Sequence, residues 1–79
     1  MRVVEVNALG LLCPLPVIRL AKAILGLEEG EVAEVLSDDP MASLDIEAWC
    51  QGEGHLYLGL VVENPPRFRI RVGGGEREA

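Results

Sequence analysis

The chain has few of the residues on which several classes of protein depend. Only 4% of its 79 residues are aromatic, and it has two cysteines and one histidine. Cys13 and Cys50 are too few for a disulfide-stabilised secreted scaffold, and neither belongs to a CxxC motif. One histidine and two distant cysteines cannot make a set of metal ligands. We therefore predict no metal site and no cofactor.

Positive charge and long apolar runs are also scarce. Seven basic side chains stand against 13 acidic ones, which gives a net charge of −6 at pH 7. Such a chain is repelled by nucleic acids and anionic lipids, so we expect no direct nucleic-acid binding. No window has the roughly 18 apolar residues of a membrane span, and the first residues lack a signal-peptide pattern. We therefore expect a cytoplasmic protein with no membrane partner and with both cysteines as thiols.

Aliphatic residues, in contrast, are abundant. Hydrophobic residues make up 49% of the chain, which suits a small α/β layer and not a disordered segment. The length allows one small domain, which we assign to residues 1–72. Residues 73–79 begin with three glycines and have no apolar anchor before the last alanine, so we predict a flexible C-terminal tail.

Hydrophobic periodicity predicts four strands and two helices. Alternating apolar residues predict strands over residues 2–7, 31–37, 56–63 and 67–72. Helical spacing predicts an amphipathic helix over residues 15–27, with the apolar stripe Val17, Ile18, Ala21, Ile24 and Leu25. A second helix is predicted to start at Pro40, with an Asp cap before it, and to end at Gly52 or Gly54.

The element order βαβαββ predicts an α/β fold, in detail an α+β two-layer sandwich. Both helices lie on one face of a mixed four-stranded sheet, the last two strands form a hairpin, and strand order 1-2-4-3 is expected. The other face of the sheet is open. A row of arginines there is either a surface for a partner or RNA, or a solvated row paired with acidic residues across strands. The arginines are Arg67, Arg69 and Arg71, and the acidic residues are Glu5, Glu34 and Glu63.

Cys13 lies where a loop meets the first helix. Pro14 disfavours helical dihedral angles at Cys13 and suits the first helical position, so we predict that Cys13 is the N-cap. There the helix dipole and the free N–H groups, of which Leu15 and Val17 are candidates, lower the pKa of the thiol.

Two carboxylates oppose this effect on the thiol. Asp38 and Asp39 follow the second strand, and in a parallel βαβα layout both helices start at the same edge of the sheet. Their charges raise the pKa of the Cys13 thiol. Because Asp39 is engaged in capping its own helix, we expect the dipole effect to be the larger one.

The chemistry open to Cys13 is limited by what surrounds it in the sequence. No histidine or second cysteine lies close enough in sequence to act as a base, which disfavours thiol hydrolase chemistry. A relay needs only an exposed cysteine that attacks a partner's persulfide and later gives up the sulfur. The alternative from the residues alone is that Cys13 is a small residue at a helix start.

A longer pattern contains this cysteine. GLLCPLPV at residues 10–17 is followed by Lys22. Further along the chain come GEV at residues 30–32, DP at 39–40, DI at 45–46, WC at 49–50 and GH at 54–55. The pattern runs from Val3 to about Arg71 and resembles the TusA/SirA family of sulfur carriers. That resemblance implies a two-layer sandwich in which Cys13 holds sulfur as a persulfide, supported by Gly10, Pro14 and Pro16.

The resemblance also implies partners. A cysteine desulfurase or a rhodanese-like protein donates the sulfur. A downstream sulfur-relay protein receives it for tRNA 2-thiouridine synthesis, molybdenum cofactor assembly or another sulfur-trafficking pathway. Lys22 matches a basic position that the family uses against its desulfurase, and the alternative is a solvated helix lysine. Such a chain is a sulfurtransferase-type carrier, and whether it should be called an enzyme stays open.

The remaining candidate residues have structural explanations. Cys50 shares the inward face of the second helix with Ile46 and Trp49, so we predict that it is buried. The predicted layout puts Cys13 at the start of one helix and Cys50 near the end of the other, and a 12-residue helix is about 18 Å long. A disulfide between them is therefore geometrically poor. His55 is predicted at the opposite edge of the sheet from Cys13, where it stabilises a turn.

Two other functions remain possible from the sequence. Gly74 and Gly75 invite comparison with ubiquitin-like sulfur carriers, but four residues follow them and βαβαββ is not the β-grasp order. The second alternative is a non-catalytic regulatory or interaction module that uses the open sheet face. Replacing Cys13 with serine would leave that module active and would abolish a carrier.

Overall fold

The computed structural model describes residues 2–75, and its elements follow one another in the predicted order. The strands are β1 (Val3–Asn7), β2 (Val32–Leu36), β3 (His55–Glu63) and β4 (Pro66–Gly74). The helices are α1 (Leu15–Ala23), which continues as a 3-10 turn over Ile24–Gly26, and α2 (Ala42–Glu53). The predicted α+β class is therefore confirmed.

The four strands form one mixed sheet in the order β1-β2-β4-β3, as predicted. β1 and β2 are parallel, and the other two pairs are antiparallel. Because β1 and β2 run parallel, the segments that follow them leave the sheet at the same edge. That edge holds the starts of both helices.

Both helices pack on one face of this sheet. The core joins sheet residues such as Val35 and Ile70 to Leu20 of α1 and Ile46 of α2, all of which are fully buried. No helix within residues 2–75 has the length and hydropathy needed to cross a bilayer.

The buried face of α1 differs from the predicted stripe. Pro16 and Leu20 are its buried residues, whereas Ile18 is 42% exposed and Leu25 is 85% exposed. Successive helical residues are about 100° apart, so Ile18, two positions from both Pro16 and Leu20, points to the opposite side. Leu25 lies beyond the α-helix in the 3-10 turn, where the helical spacing no longer applies.

The two ends of α2 are set by local hydrogen bonds. The helix begins at Ala42 with Met41 as N-cap, so the prediction that Pro40 is its first residue is wrong. The Asp39 carboxylate instead accepts a hydrogen bond from the Met41 N–H at 3.0 Å and closes a turn before the helix. At the other end, Gly54 has φ +79° and donates its N–H to Cys50, which confirms one of the two predicted stops.

The last strand is longer than predicted. β4 continues to Gly74, two residues past the predicted end at Val72. The Gly75 N–H then donates to the Gly54 carbonyl at 3.3 Å. Residues 76–79 of the predicted tail lie outside the described residues.

The open face of the sheet carries an ion-paired cluster. Arg67 lies 2.8 Å from Glu5 and 3.0 Å from Glu34, and Arg69 lies 2.6 Å from Glu34. The prediction of cross-strand pairing is therefore confirmed for Glu5 and Glu34. Among residues 2–75, no ion pair was found for Glu63.

Candidate functional site

Cys13 is an exposed thiol in the loop between β1 and α1. The N-cap of α1 is Pro14 and its first residue is Leu15, so the prediction that Cys13 is the N-cap is wrong by one residue. The Cys13–Pro14 peptide bond is cis. Because Pro14 is the N-cap, Cys13 precedes the helix, and no side chain caps the helix end.

The first turn of α1 offers few free N–H groups. The Leu15 N–H, one of the two donors predicted to be free, instead donates to the Leu12 carbonyl at 2.9 Å. Pro16 has no N–H and stands at the second helical position, where such a donor would have no partner within the helix. The Ile18 N–H makes the first intrahelical bond, to Pro14 at 3.1 Å.

Two aspartates tether the Cys13 loop to the start of α2. The Cys13 N–H donates to Asp39 Oδ2 at 2.6 Å, and the Gly10 N–H donates to Asp38 Oδ1 at 3.1 Å. Asp39 is buried, with 9% of its surface exposed. The predicted meeting of both loops at one sheet edge is therefore confirmed.

Gly10 has a conformational reason to be glycine. Its φ is +79°, in the region that side chains other than glycine rarely adopt. The following residue, Leu11, closes the turn by donating its N–H to the Ala8 carbonyl at 3.2 Å. The turn brings the chain from β1 to the position where Asp39 holds Cys13.

Asp45 is the acidic residue with the largest effect on the pKa of the Cys13 thiol. It lies in the first turn of α2. The pKa of the Cys13 thiol is raised, first by hydrogen bonding with the Asp45 side chain and then by lost hydration and by the charges of Asp45 and Asp39. The expected lowering of this pKa by the helix dipole is therefore wrong, because the carboxylates of Asp45 and Asp39 and the lost hydration raise it.

Exposed apolar side chains belong to the same segments as Cys13 and Asp45. They are Leu12, 68% exposed, Leu15, 46%, Ile18, 42%, Met41, 48%, and Leu44, 60%. Exposed apolar surface of this kind is typical of a surface that a protein partner covers.

Lys22 lies on the same helix as the start of the site, but two turns further on. It is exposed in the last turn of α1. With Arg19 it lines a shallow cavity of about 380 Å³ beside β1. Arg19 itself donates to the Asn7 carbonyl at 3.2 Å.

Cys50 and His55 lie away from Cys13, as predicted. Cys50 has no exposed surface, and burial, with the charge of Glu47 second, raises the pKa of its thiol to about 12. The His55 ring accepts the Gly73 N–H through Nδ1 at 3.0 Å and lies 5.1 Å from the Trp49 ring. Both cysteines are free thiols.

Within residues 2–75, no three His, Cys, Asp or Glu side chains come together in a way that could hold a metal ion. What the site does bring together is one exposed thiol and the carboxylates of Asp39 and Asp45. The sequence identified Cys13 and Asp39 as neighbours. It missed the effect of Asp45 on the pKa of the Cys13 thiol, although the DI pair at residues 45–46 is part of the recognised pattern.

Comparison with known proteins identifies relatives of this chain. The family model described as Sulfurtransferase TusA matches residues 4–73. YrkF of Bacillus subtilis (strain 168), a protein whose name proposes a sulfur carrier role, is 38% identical over 72 residues. That match covers 90% of this chain and 39% of YrkF, so the chain spans about two fifths of that relative's length.

A solved structure also has the same fold. The crystal structure of a SirA-like protein from Desulfitobacterium hafniense superposes with a TM-score of 0.76 at 32% sequence identity. The superposition covers 91% of this chain and 99% of the other.

Proposed function

The chain belongs to the TusA family of sulfurtransferases, and we propose that it is a sulfur carrier that holds sulfur on Cys13 as a persulfide. The observation that supports Cys13 most is its exposure on a tethered loop. Cys50, the other cysteine, has no exposed surface, and a persulfide there could meet neither a donor nor an acceptor.

The transfer is an exchange between sulfur atoms. The Cys13 sulfur attacks the terminal sulfur of the donor's persulfide, a new S–S bond forms at Cys13, and the donor's S–S bond breaks. The donor's inner sulfur leaves as a thiolate and takes up the proton that Cys13 loses. A thiol on the acceptor then repeats the exchange and regenerates Cys13.

The loop geometry supports such an exchange. Asp39 holds the Cys13 backbone through its N–H at 2.6 Å, so the sulfur projects from a defined position. The exposed apolar residues of the same segments offer a surface for a partner that brings its own sulfur. A partner must supply the rest of the chemistry, because no histidine lies beside Cys13.

We further propose the identity of the partners from the family. The donor is a cysteine desulfurase or a rhodanese-like protein, and the acceptor is a sulfur-relay protein serving tRNA thiolation, molybdenum cofactor assembly or another sulfur pathway. Lys22, exposed on α1, is the proposed contact for the donor. The cytoplasm, whose reducing conditions keep Cys13 as a thiol, is the proposed location.

The experiment is an intact-mass measurement after incubation with a cysteine desulfurase, pyridoxal phosphate and cysteine. Wild type is expected to gain the mass of one sulfur atom, and dithiothreitol is expected to remove it. Cys13→Ser is expected to gain nothing, whereas Cys50→Ala, the matched cysteine variant, is expected to gain as much as wild type.

Loading that survives in Cys13→Ser and disappears in Cys50→Ala would contradict the assignment. An absence of loading from both desulfurase and rhodanese donors, with the protein folded, would contradict the carrier function for this chain.

A further inference from the structure

β1 forms one edge of the sheet, and basic side chains of α1 border that edge. We propose that this edge binds an extended acidic segment of a partner protein. The segment adds to β1 as a further strand and pairs its carboxylates with Arg19 and Lys22. Strand addition needs no reaction at Cys13, so the inference goes beyond sulfur transfer, and it gives Lys22 a ligand of defined chemistry.

The hydrogen bonds between β1 and β2 show which backbone groups of β1 are used within the sheet. In the described sheet only β2 pairs with β1, and the two strands are parallel. The Arg2 carbonyl accepts a hydrogen bond from the Val32 N–H at 3.0 Å, and the Ala8 N–H donates to the Leu36 carbonyl at 2.8 Å. Because the backbone groups of successive strand residues point to opposite sides, the even-numbered residues of β1 bond to β2.

The odd-numbered residues of β1 direct their N–H and C=O groups away from the sheet. They are Val3, Glu5 and Asn7, and all three are exposed. The Asn7 carbonyl accepts a hydrogen bond from Arg19 at 3.2 Å, as expected of a group that points away from β2. An extended peptide beside β1 can therefore bond to the N–H groups of all three residues and to the carbonyls of Val3 and Glu5.

A groove of about 380 Å³ lies between this edge and α1. Its lining consists of Glu5, Val6 and Asn7 of β1 and of Arg19, Lys22 and Ala23 of α1. A strand added to β1 lies about 4.8 Å further out, and every second side chain points to the face of the sheet that carries the helices. Those side chains enter the groove beside Arg19 and Lys22.

Two cationic side chains without ion-pair partners line this groove. Arg19 and Lys22 are exposed, and no ion pair in the part of the chain that the structure describes involves either of them. Arg2, Arg67 and Arg69, in contrast, each pair with a glutamate. Because the groove attracts negative charge and repels basic segments, the segment that fits it is acidic.

The spacing of the two cations predicts the sequence of the bound segment. Arg19 and Lys22 are three residues apart on a helix, so their Cβ atoms are about 5–6 Å apart. Alternate residues of a strand share a face and are about 7 Å apart, so two acidic residues separated by one residue match the two cations. The residue between them lies on the open face beside Glu5, whose carboxylate is paired with Arg67 at 2.8 Å, and is expected to be uncharged.

The test is an NMR titration of the isotope-labelled protein with short peptides that are acetylated and amidated at their ends. The reference peptide is Ser-Glu-Thr-Glu-Val-Ser, and a control of the same composition, Ser-Glu-Glu-Thr-Val-Ser, has adjacent glutamates. Two further peptides are the reference N-methylated at both glutamates, or at the threonine and the valine. The protein variants are Arg19→Gln, Lys22→Gln and Arg71→Gln.

The reference peptide is expected to shift the amide signals of Val3, Glu5 and Asn7. Lys22→Gln and Arg19→Gln are each expected to weaken its binding by about fivefold, the effect of one close charge pair in water. Arg71→Gln removes the same charge from an exposed position of β4, which β2 separates from β1, and is expected to match wild type.

The peptide variants test strand addition itself. The control with adjacent glutamates is expected to bind about fivefold more weakly than the reference, because only one of its carboxylates can enter the groove. Successive N–H groups of a strand point to opposite edges, so one N-methylated peptide is expected to lose binding and the other to retain it. These comparisons use wild-type protein and do not depend on the folding of Arg19→Gln, which loses the bond to the Asn7 carbonyl.

The proposal would be overturned if millimolar reference peptide left the β1 amides unshifted, or if both N-methylated peptides bound equally well. An equal loss in Arg71→Gln and Lys22→Gln would reduce the effect to general electrostatic attraction. Inorganic phosphate that shifts the same amides as strongly would show a simple anion site, and concentration-dependent shifts without peptide would assign the edge to a second copy of the chain; either result contradicts the proposal. The titration contains no sulfur donor, so its outcome is independent of the mass experiment on Cys13.

Discussion

The two cysteines of this chain differ in access more than in acidity. The pKa of both thiols is raised, at Cys13 first by the Asp45 side chain and at Cys50 first by burial. Cys13 is exposed, whereas Cys50 has no exposed surface. A reagent or partner can therefore reach only Cys13 in the folded protein, and reactivity at the two sites depends on different steps.

Iodoacetamide is expected to label Cys13 and to spare Cys50 in the native protein. Because Cys50 can react only when the core opens, its labelling is expected to be slower by about a thousandfold or more. Peptide mapping after timed labelling measures both rates, and urea should make them similar. Equal rates in the native protein would show that Cys50 is not buried.

Stability at high pH provides a second measure of Cys50. Its folded pKa of about 12 lies above the ordinary value of 9.0, so the folded state favours the neutral thiol. This contribution is present at pH values below the ordinary one and is lost as the pH rises through the folded pKa. Between pH 9.0 and about pH 12, the urea midpoint of wild type is expected to fall more than that of Cys50→Ala. Parallel curves of urea midpoint against pH for the two proteins would contradict this prediction.

At the level of single residues, the sequence singled out Cys13, which the structure shows to be exposed, but not its chemical setting. Asp38 and Asp39 could be placed near Cys13, because parallel strands bring their following loops to one edge of the sheet. Asp45 could not be placed near Cys13 from the sequence, because its position depends on where α2 begins. The hydrogen bond from Met41 to Asp39 moves that start to Ala42, and no sequence pattern shows this bond.

At the level of elements, α2 connects the two ends of the sheet and begins beside Cys13. Its last turn is closed by Gly54 in the left-handed region, with φ +79°. The chain then enters β3 directly at His55. The position of this glycine therefore determines how the helix joins the strand hairpin.

Gly54→Ala is expected to lower the free energy of unfolding by about 1 kcal/mol, because an alanine at this φ is strained. Gly52→Ala is the matched control within α2. A Cβ at Gly52 would meet nothing within 4 Å, and the change is expected to raise stability by about 0.5 to 1 kcal/mol. Urea unfolding measures both variants, and the same sign for the two would contradict this account of the helix end.

The ion-paired cluster on the open sheet face is predicted to stabilise the sheet in a pH-dependent way. Burial of Glu34 opposes its ionisation, but Arg69 and Arg67 outweigh burial, so the pKa of Glu34 lies below its ordinary value of 4.5. Glu34→Gln is expected to lower the free energy of unfolding by about 1 to 3 kcal/mol near neutral pH.

The lowered pKa determines the sign of the pH effect. The stabilisation by Glu34 is present above its ordinary pKa and is lost as the pH falls through the lower, folded value. The difference between wild type and Glu34→Gln should therefore shrink in acid, as urea unfolding at a series of pH values can show. Glu63→Gln, at an exposed position of β3, is the control and should change stability by less than about 0.5 kcal/mol.

Periodicity was sufficient for the order of the elements and for the pairing of Glu5 and Glu34 with arginines. It was insufficient for the helix starts, where the N–H groups of Cys13 and Met41 donate hydrogen bonds to the Asp39 carboxylate and regular spacing does not apply. It also failed for the face of α1, because exposed Ile18 and Leu25 have the same hydrophobicity as buried residues. A hydrophobic pattern cannot distinguish an apolar side chain that packs in the core from one that contacts a partner, as we propose for Ile18.

At the level of the whole molecule, the features converge on one end of the sheet. The exposed thiol, the two carboxylates and the exposed apolar side chains belong to the loops and first turns there. The opposite end holds the buried Cys50 and the half-buried His55, and the open face is occupied by ion pairs. A carrier needs one accessible sulfur site, and the molecule offers it at one end only.

Cyanide release tests the central claim, that Cys13 carries transferable sulfur, most directly. The protein is loaded by a desulfurase and cysteine, separated from the donor and treated with cyanide, which removes sulfane sulfur from a persulfide as thiocyanate and restores the thiol. Thiocyanate is expected at a ratio approaching one per chain for wild type and Cys50→Ala, and near background for Cys13→Ser. Background thiocyanate from loaded wild type, or an undiminished yield from Cys13→Ser, would contradict the account.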